Sequence, residues 1–280
     1  MAVLAKLFQF QQRELMTKIA LTIAGSDSGG GAGIQADLKT FHQFGVFGTS
    51  AVVAITAQNT TGVHGVHAIP VDMVRAQIDA VANDLPPDAF KTGMLANSEL
   101  VEAVAEAIRQ RNLPNYVLDP VMVATSGDRL LDRDAEDTVR HHLVPLSTLV
   151  TPNLDEAGIL VEEEIDSVDR MEKAGKALVS MGAKAALIKG GHLEADQLVD
   201  VLVSGKSIRR ITHSKIATTS THGTGCTLSS AIVACLALGL SIENAVDAGL
   251  DFVRRAIAAA PGLGKGFGPL NHFVRAGVTE

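Results

Sequence analysis

The chain has 280 residues, of which 46% are hydrophobic, and it carries a formal net charge of −7. This composition is sufficient for a large core, yet no run reaches the roughly 18 uninterrupted apolar residues of a membrane span. The acidic balance, the single tyrosine and the lack of tryptophan argue against a nucleic-acid-binding surface. Cys226 and Cys235 lie on one predicted helix, too far apart to pair with each other, which favours a reducing, cytoplasmic setting.

Residues 1–16 match the rest of the chain poorly. Their apolar part is short, is broken by Lys6 and Gln9, and lacks a small-residue cleavage site, so a signal peptide is not predicted. Met16 stands just before the first clear strand, and a start-site overextension or a frayed terminal segment explains the residues before it at least as well as a function does. We predict that residues 1–16 form a non-core extension and that residues 17–280 form one domain.

Strand-like apolar runs alternate with helical patterns along that domain. Strands are predicted at residues 19–24, 50–57, 90–94, 116–119, 149–152 and 185–189, followed by a hairpin of 197–203 with 208–212. Helices are predicted at residues 34–44, 71–85, 99–111, 131–140, 224–238 and 242–259, with a further helix starting near residue 153. This alternation predicts an α/β fold whose mostly parallel central sheet carries helices on both faces.

Each of the first six predicted strands ends in, or is followed by, a run of small or polar residues. In chain order these runs are GSDSGGGAGIQAD, QNTTG, KTGM, DPVM, TPNLDE and KGGH. One such run is ordinary turn chemistry. Because ligands bind at the carboxyl ends of parallel strands, six runs at that edge of one sheet indicate a ligand site.

The run THGTGC at residues 221–226 opens an apolar helix. Gly223 and Gly225 let the backbone turn sharply and bring its N–H groups close to a ligand at the positive end of that helix, an arrangement typical of phosphate binding. We expect Cys226 to have a lowered pKa in this position. The alternative is a loop and helix cap with a buried cysteine.

The first glycine run also matches a relaxed dinucleotide pattern, G-x-G-x-x-A, from Gly31 to Ala36. A dinucleotide site requires an acidic residue at the end of the next strand to hold the ribose hydroxyls. Here that strand ends in Gln58 and Asn59. A nicotinamide-dependent enzyme is therefore not favoured, and no Walker-type phosphate loop occurs in the sequence.

The remaining polar residues fit phosphoryl transfer, in which positioning and charge neutralisation supply most of the catalysis. Asn153 and Glu156 share one face at a helix start and could order a hydrated Mg²⁺ on phosphate oxygens. They could equally form an N-cap and its capping-box partner. Lys189 could offer a point charge to a nucleotide phosphate, while the first glycine loop and Gln58 would hold the acceptor.

At this point the motifs resemble a known family. AGSDSGGGAGIQADLKT, AQNTTGV, KTGML, LDPVM, TPNLDEA, KGGH and THGTGCTLSSAI, in this order, resemble the bacterial hydroxymethylpyrimidine/phosphomethylpyrimidine kinases of thiamine biosynthesis, which belong to the ribokinase-like superfamily. The resemblance covers about residues 18–273, including the late run GKGFGPLNHF. It implies a ribokinase-like fold, a cytoplasmic homodimer, and phosphorylation of 4-amino-5-hydroxymethyl-2-methylpyrimidine and then of its monophosphate by ATP with Mg²⁺.

The resemblance also implies a role for each matching residue. The implied substrate-binding residues are Gln58, Asp37, Gly25, Met94 and Val121; the nucleotide-binding residues are Lys189, Asn153 and Glu156; the metal-binding residues are Glu156 and Asp119; and the catalytic residues are Gly223, Thr224, Gly225 and Cys226. The three residues before Cys226 would form the hole for the transferred phosphoryl group. Cys226 would be the general base or an orienting group.

Two other functions are compatible with these residues. Related kinases act on pyridoxal or similar vitamers, which also carry a ring nitrogen and a hydroxymethyl arm, although Gln58 and Met94 favour the pyrimidine. The other function is that of a catalytically silent ligand-binding regulator. The intact acidic, lysine and glycine positions argue against it, and an ADP-release assay distinguishes it from a kinase.

Overall fold

The computed structural model describes residues 17–123, 130–190 and 197–277. Predictions that concern residues 1–16, Gly191 and His192 lie outside the described residues. The boundary between the extension and the domain therefore stays a prediction. Among the described helices, none is both long enough and apolar enough to cross a membrane.

Within these ranges the chain forms nine strands and eight α-helices. The strands are β1 (Ile19–Asp27), β2 (Phe47–Asn59), β3 (Gly62–Ala68), β4 (Ala89–Thr92), β5 (Tyr116–Leu118), β6 (Leu149–Val150), β7 (Ala185–Ile188), β8 (Gln197–Ser204) and β9 (Ser207–Ser214). The helices are α1 (Gly33–Gln43), α2 (Val71–Asp84), α3 (Ser98–Arg111), α4 (Arg133–His142), α5 (Leu154–Val161), α6 (Val168–Ser180), α7 (Thr224–Ala237) and α8 (Ile242–Ala258). A 3₁₀ turn (Val144–Leu146) precedes β6.

All nine strands belong to one sheet, in the order β3-β2-β1-β4-β5-β6-β7-β8-β9. The six strands from β2 to β7 in this order are parallel, and an antiparallel pairing closes each side, β3 on β2 and the β8–β9 hairpin on β7. The predicted mostly parallel sheet and the predicted final hairpin are confirmed. The carboxyl ends of the parallel strands lie at one edge, as the prediction of the site requires.

Helices cover both faces of the sheet and bury two separate cores. One core packs α2 to α6 on the sheet, and the other packs α1, α7 and α8. Nearly every residue of α7 is buried because this helix lies between the sheet and α8. Cys235, in the middle of α7, is a fully buried core thiol.

Two elements were not predicted from the sequence. The first, β3, reads GVHGVHA and is mostly exposed, so it has no apolar pattern and is held mainly by backbone pairing with β2. The second is α6, whose buried residues pack on β7 and β8. In addition, β1 extends through Asp27 beyond its predicted end at residue 24, with a register shift against β2 between Ala24 and Gly25.

The segment after α8 returns along the protein and packs on α7. The Asn271 backbone N–H donates to the Ala256 carbonyl oxygen, which lies 3.0 Å away. The next residue, His272, is 7% exposed, and its Nε2 lies 3.0 Å from the Thr227 hydroxyl. Burial lowers the pKa of His272 to about 4. This imidazole is therefore neutral in the folded protein at pH values where it is protonated in the unfolded chain.

We expect His272 to make the protein sensitive to acid. Below its ordinary pKa of about 6.5, His272 binds a proton in the unfolded chain but not in the folded protein. The free energy of unfolding is therefore unaffected by His272 above pH 6.5, and it falls by about 3 kcal/mol in total as the pH decreases toward 4. Denaturant unfolding of the wild type and of His272→Gln between pH 7.5 and 4.5 measures it. The variant should show a flatter dependence, and parallel curves for the two proteins would contradict the prediction.

Candidate active site

A cavity of about 600 Å³ opens at the carboxyl ends of the parallel strands. With the exception of Asp37, every predicted site residue lines it. These residues are Gly25, Gln58, Met94, Asp119, Val121, Asn153, Glu156, Lys189, Gly223, Thr224, Gly225 and Cys226. They come from both halves of the chain because the strand ends converge at this edge.

The first glycine loop, between β1 and α1, is organised by the Asp27 carboxylate. This side chain is 2% exposed and accepts the backbone N–H groups of Gly29, Gly31 and Ala32 at 2.7 to 3.0 Å. Its Oδ2 also lies 2.9 Å from Nε2 of His222. Burial opposes ionisation of Asp27, but these hydrogen bonds outweigh it and lower its pKa. Asp27 therefore joins the first glycine loop to the run that precedes α7.

Gly223 brings the start of α7 into contact with that loop. It has φ +81°, and a Cβ atom at this position would overlap the Gly31 carbonyl oxygen. Thr224 follows, and its hydroxyl donates to the Thr221 carbonyl oxygen at 2.7 Å. Gly223 thus allows the start of α7 to approach the backbone of the first glycine loop. The positive end of α7 lies at the cavity wall.

Cys226 lies in the first turn of α7, and its residue as a whole is half-buried. Its thiol accepts the backbone N–H of Gly33 at the start of α1. The predicted lowering of its pKa is wrong. Burial raises the pKa of Cys226 to about 12, because desolvation together with the negative charges of Asp37 and Asp119 outweighs the Gly33 hydrogen bond and the positive charge of Lys91.

Five charged side chains of alternating sign connect the core to the cavity. Lys91, which is fully buried, lies 2.9 Å from Asp37 Oδ1 and 3.7 Å from Asp119 Oδ2. Lys189 lies 3.6 Å from Asp119 Oδ1 and 4.0 Å from Glu156 Oε2. Each buried charge thus has a partner of opposite sign, as burial of an ionised group requires. Lys189 and Glu156 end this series at the cavity.

The partners also determine the protonation of this series. Burial alone would lower the pKa of both lysines. The negative charges of Asp37 and Asp119 outweigh burial for Lys91, and that of Asp119 does so with Glu156 for Lys189, so that both pKa values lie above the usual range. Burial raises the pKa of Glu156 to about 7, and the charge of Lys189 only partly opposes it. Both lysines are therefore cationic at neutral pH, and the cavity offers Lys189 to an anion.

Asp37 lies behind the cavity wall and does not line it. It is fully buried, and its carboxylate accepts hydrogen bonds from Thr22, Lys91 and Ser230 at 2.6 to 2.9 Å. The family resemblance implied a position in the pocket for Asp37, but helix α1 turns this side chain toward Lys91 in the core. The structure supports a role in holding Lys91, and it does not support a direct contact of Asp37 with the substrate.

Asn153 and Glu156 form a capping box at the start of α5, as the structural alternative predicted. The Glu156 backbone N–H donates to Asn153 Oδ1 at 2.9 Å, and the Asn153 N–H donates to Glu156 Oε2 at 2.8 Å. Both residues also line the cavity. Capping and ligand binding are therefore compatible here, and the proposed nucleotide and metal roles of this pair stay predictions.

Asp119 and Glu156 meet the usual requirement for a nucleotide-bound Mg²⁺. This ion is commonly held by one or two carboxylates together with substrate phosphates and water. Both carboxylates line the cavity on either side of Lys189, and Ser229 Oγ donates to Asp119 Oδ2 at 3.0 Å. In the described part of the chain, no group of three His, Cys, Asp or Glu side chains could hold a metal ion alone.

Gln58, Gly25 and Met94 lie together on one side of the cavity. A Cβ on Gly25 would lie 3.2 Å from the Met94 sulfur, so the two residues are in close contact. The Thr56 hydroxyl donates to Gln58 Oε1 at 3.1 Å. Val121 lies partly buried on the same wall. An amide beside apolar and sulfur surface suits a flat, polar-edged ring.

The opposite side of the cavity was not predicted. Its apolar lining comes from Leu198 of β8 and from one face of α8, namely Leu250, Val253 and Ile257. Asp200 also lines this side, and its Oδ1 accepts the Gly190 backbone N–H at 2.8 Å, which fixes the chain next to Lys189. Apolar residues give no motif in the sequence, so this half could be found only from the packing of α8 beside the sheet.

Lys91 was also missed as a functional candidate. The available signal was a lysine inside the buried strand pattern AFKT, because a charge in such a position requires a buried partner.

Comparison with known proteins identifies the family. The chain matches the family model described as phosphomethylpyrimidine kinase over residues 27–271. It is 51% identical over 255 residues to the hydroxymethylpyrimidine/phosphomethylpyrimidine kinase of Bacillus subtilis, which covers 91% of this chain and 94% of the relative.

Two solved structures share its fold. The pyridoxal kinase of Bacillus subtilis in complex with ADP is 39% identical, with a TM-score of 0.85, and the match covers 91% of this chain and 97% of the other. The phosphomethylpyrimidine kinase of Clostridium difficile is 41% identical, with a TM-score of 0.78 and coverages of 86% and 100%. The predicted single-domain ribokinase-like architecture and the predicted family are confirmed. The chain belongs to the phosphomethylpyrimidine kinase family.

Proposed function

We propose that the chain is a kinase that transfers the γ-phosphoryl group of ATP to the hydroxyl of 4-amino-5-hydroxymethyl-2-methylpyrimidine, and then phosphorylates the resulting monophosphate, in thiamine biosynthesis. The observation that carries this proposal is the composition of the cavity. It contains the amide of Gln58 beside apolar surface on one side, Lys189 between two carboxylates on the other, and the start of α7 at its wall.

Each part of the site has a role in such a reaction. The backbone of Gly223, Thr224 and Gly225, at the positive end of α7, would form the hole that stabilises the charge of the phosphoryl group in transfer. Lys189 would neutralise a phosphate oxygen of the nucleotide, and Gln58 would orient the ring of the acceptor by its two-sided amide. When bound, Mg²⁺ held by Asp119 and Glu156 would supply further charge neutralisation on the phosphates.

Cys226 would lie next to the acceptor hydroxyl. Because its thiol keeps its proton at neutral pH, we propose that it orients this hydroxyl through a hydrogen bond. Action as a general base would require that bound nucleotide and metal lower its pKa substantially.

Pyridoxal is the second candidate acceptor, since the pyridoxal kinase of Bacillus subtilis gives the higher TM-score of the two structures compared above. One experiment separates the candidates: ADP release with ATP and Mg²⁺, measured for hydroxymethylpyrimidine, its monophosphate and pyridoxal. We expect the highest kcat/KM for the pyrimidine substrates. A higher value for pyridoxal would reverse the assignment, and binding of an acceptor without ADP release would favour the silent regulator.

We further propose that the protein is a cytoplasmic homodimer, as the family resemblance implies. The two cysteines of the described chain are both free, which fits a reducing compartment. Light scattering of the purified protein would measure the oligomeric state, and a monomer at micromolar concentration would reject the dimer.

A further inference from the structure

A short C-terminal stretch contributes to the acceptor side of the cavity. This stretch, residues 264–268, is called the wall segment below. It packs on the turn between β2 and β3, about 200 residues earlier in the chain. The N–H groups of Lys265 and Gly266 donate to Thr60 Oγ1 at 3.2 and 3.4 Å, and the Phe267 N–H donates to the Thr60 carbonyl oxygen at 2.8 Å.

The wall segment is fixed at both of its ends. A Cβ atom on Gly264 would overlap the Thr60 side chain, and one on Gly266 would overlap the Thr60 carbonyl group, so the segment is in direct contact with Thr60. At the other end the His222 N–H donates to the Gly268 carbonyl oxygen at 3.1 Å. The segment therefore connects the turn beside Gln58 to the run that opens α7, which are the two places where an acceptor ring and its hydroxyl must lie.

Phe267 lies between these two attachments and lines the cavity. Its side chain is 41% exposed, although its backbone is held firmly. An aromatic ring on a fixed backbone presents a flat apolar face at little cost in conformational entropy, and such faces stack well on heteroaromatic rings. Phe273, six residues further along the chain, is 89% exposed and is not among the residues that line the cavity.

We propose that Phe267 is a specificity-determining residue that contacts the ring of the acceptor, and that Thr60 positions it through the wall segment. This inference rests on the proposed function, because it concerns the acceptor of the same reaction. It predicts that the Phe267 side chain acts on acceptor affinity alone, since the wall segment contacts Thr60 and His222, and among the described residues none of the hydrogen bonds that hold it involves Lys189, Asn153 or Glu156, the residues proposed for the nucleotide.

The test compares Phe267→Ala with the matched control Phe273→Ala. We expect Phe267→Ala to raise the KM for hydroxymethylpyrimidine about tenfold, the size typical of a lost stacking contact, with the KM for ATP unchanged. Phe267→Tyr keeps the ring and should restore the acceptor KM. Phe273→Ala should behave as the wild type, and thermal unfolding of each variant verifies that the fold is retained.

Thr60→Val supplies an independent measurement, because it removes the Oγ1 acceptor and keeps the side-chain shape. We expect it to raise the acceptor KM by part of the Phe267→Ala effect, again without a change in the KM for ATP. An unchanged acceptor KM in a folded Phe267→Ala variant, or an equal rise in both KM values, would overturn the inference. These results differ from failure of the proposed function, in which the wild type itself releases no ADP with any of the three acceptors.

Discussion

Replacing Cys226 by alanine is expected to lower kcat by about 10²-fold, the loss that misplacement of a reacting group can cause. The thiol lies in the cavity wall at the start of α7, where we propose that the acceptor hydroxyl approaches the phosphoryl group. Steady-state ADP release with hydroxymethylpyrimidine measures the loss. Cys235→Ala is the matched control, because Cys235 lies on the same helix but is buried in the core away from the cavity.

Cys226→Ser distinguishes the two roles that Cys226 could have. A serine hydroxyl can orient the acceptor by a hydrogen bond. It cannot be the base at neutral pH, because the hydroxyl is too weak an acid to form the alkoxide that would accept the proton. Retention of most activity in Cys226→Ser with loss in Cys226→Ala indicates an orienting group, and loss in both indicates a base. A near-normal kcat in Cys226→Ala would reject both roles and leave only packing.

The raised pKa of this thiol has its own consequence in the free enzyme. Because only the thiolate reacts with iodoacetamide, a pKa of about 12 means that the reactive form is scarce at pH 7 to 9 and increases only as the pH approaches 12. We expect alkylation of Cys226 to be slower than that of free cysteine throughout pH 7 to 9. Faster alkylation would show that the positive end of α7 lowers the pKa of Cys226 by more than burial raises it.

Gly223→Ala is expected to lower kcat/KM by about 10²–10³-fold, the loss found when a hydrogen-bond donor of an anion hole is displaced. The substituted residue would have to adopt φ +81°, and its Cβ would overlap the Gly31 carbonyl oxygen. The start of α7 must therefore move away from the first glycine loop. The hole for the phosphoryl group would lose its geometry, and thermal stability would fall as well.

Gly239→Ala is the matched control for this prediction. Gly239 follows the other end of α7 with φ +90°, and beyond its two chain neighbours no atom of the described residues lies within 4 Å of where a Cβ would be. In Gly239→Ala the alanine would have to adopt the same left-handed backbone conformation. We therefore expect this variant to lose about 1–2 kcal/mol of free energy of unfolding and to keep a normal kcat/KM. Equal activities of the two variants would show that the contact with Gly31 has no part in forming the hole.

Much of the site could be predicted because it depends on local chemistry at strand ends. Parallel strands bring their carboxyl ends to one edge, so a polar run after each strand is sufficient to place Gln58, Asp119 and Lys189 at one cavity. The glycines at 223 and 225 are informative for the same reason, because a helix start that closely approaches another backbone requires them.

Asp37 shows what a motif leaves open. The family resemblance implied a substrate-binding residue here, but helix α1 directs the carboxylate to Lys91 in the core. Orientation within a helix is determined by what the helix packs against, and the run of letters around Asp37 does not contain that information. Strand β3 was missed for a related reason, since it has little buried apolar surface of its own and is held by pairing with β2.

The amino-acid sequence by itself therefore determined the α/β architecture, the edge of the sheet at which the cavity opens, and the polar residues at the strand ends that line this cavity, but not its apolar side from β8 and α8. Only the tertiary structure decided the state of the groups there. The protonation of Cys226 is a balance of burial, Lys91 and two carboxylates, and Phe267 lines the cavity because residues about 200 positions apart pack together. Both depend on contacts between distant segments, which the order of residues along the chain does not specify.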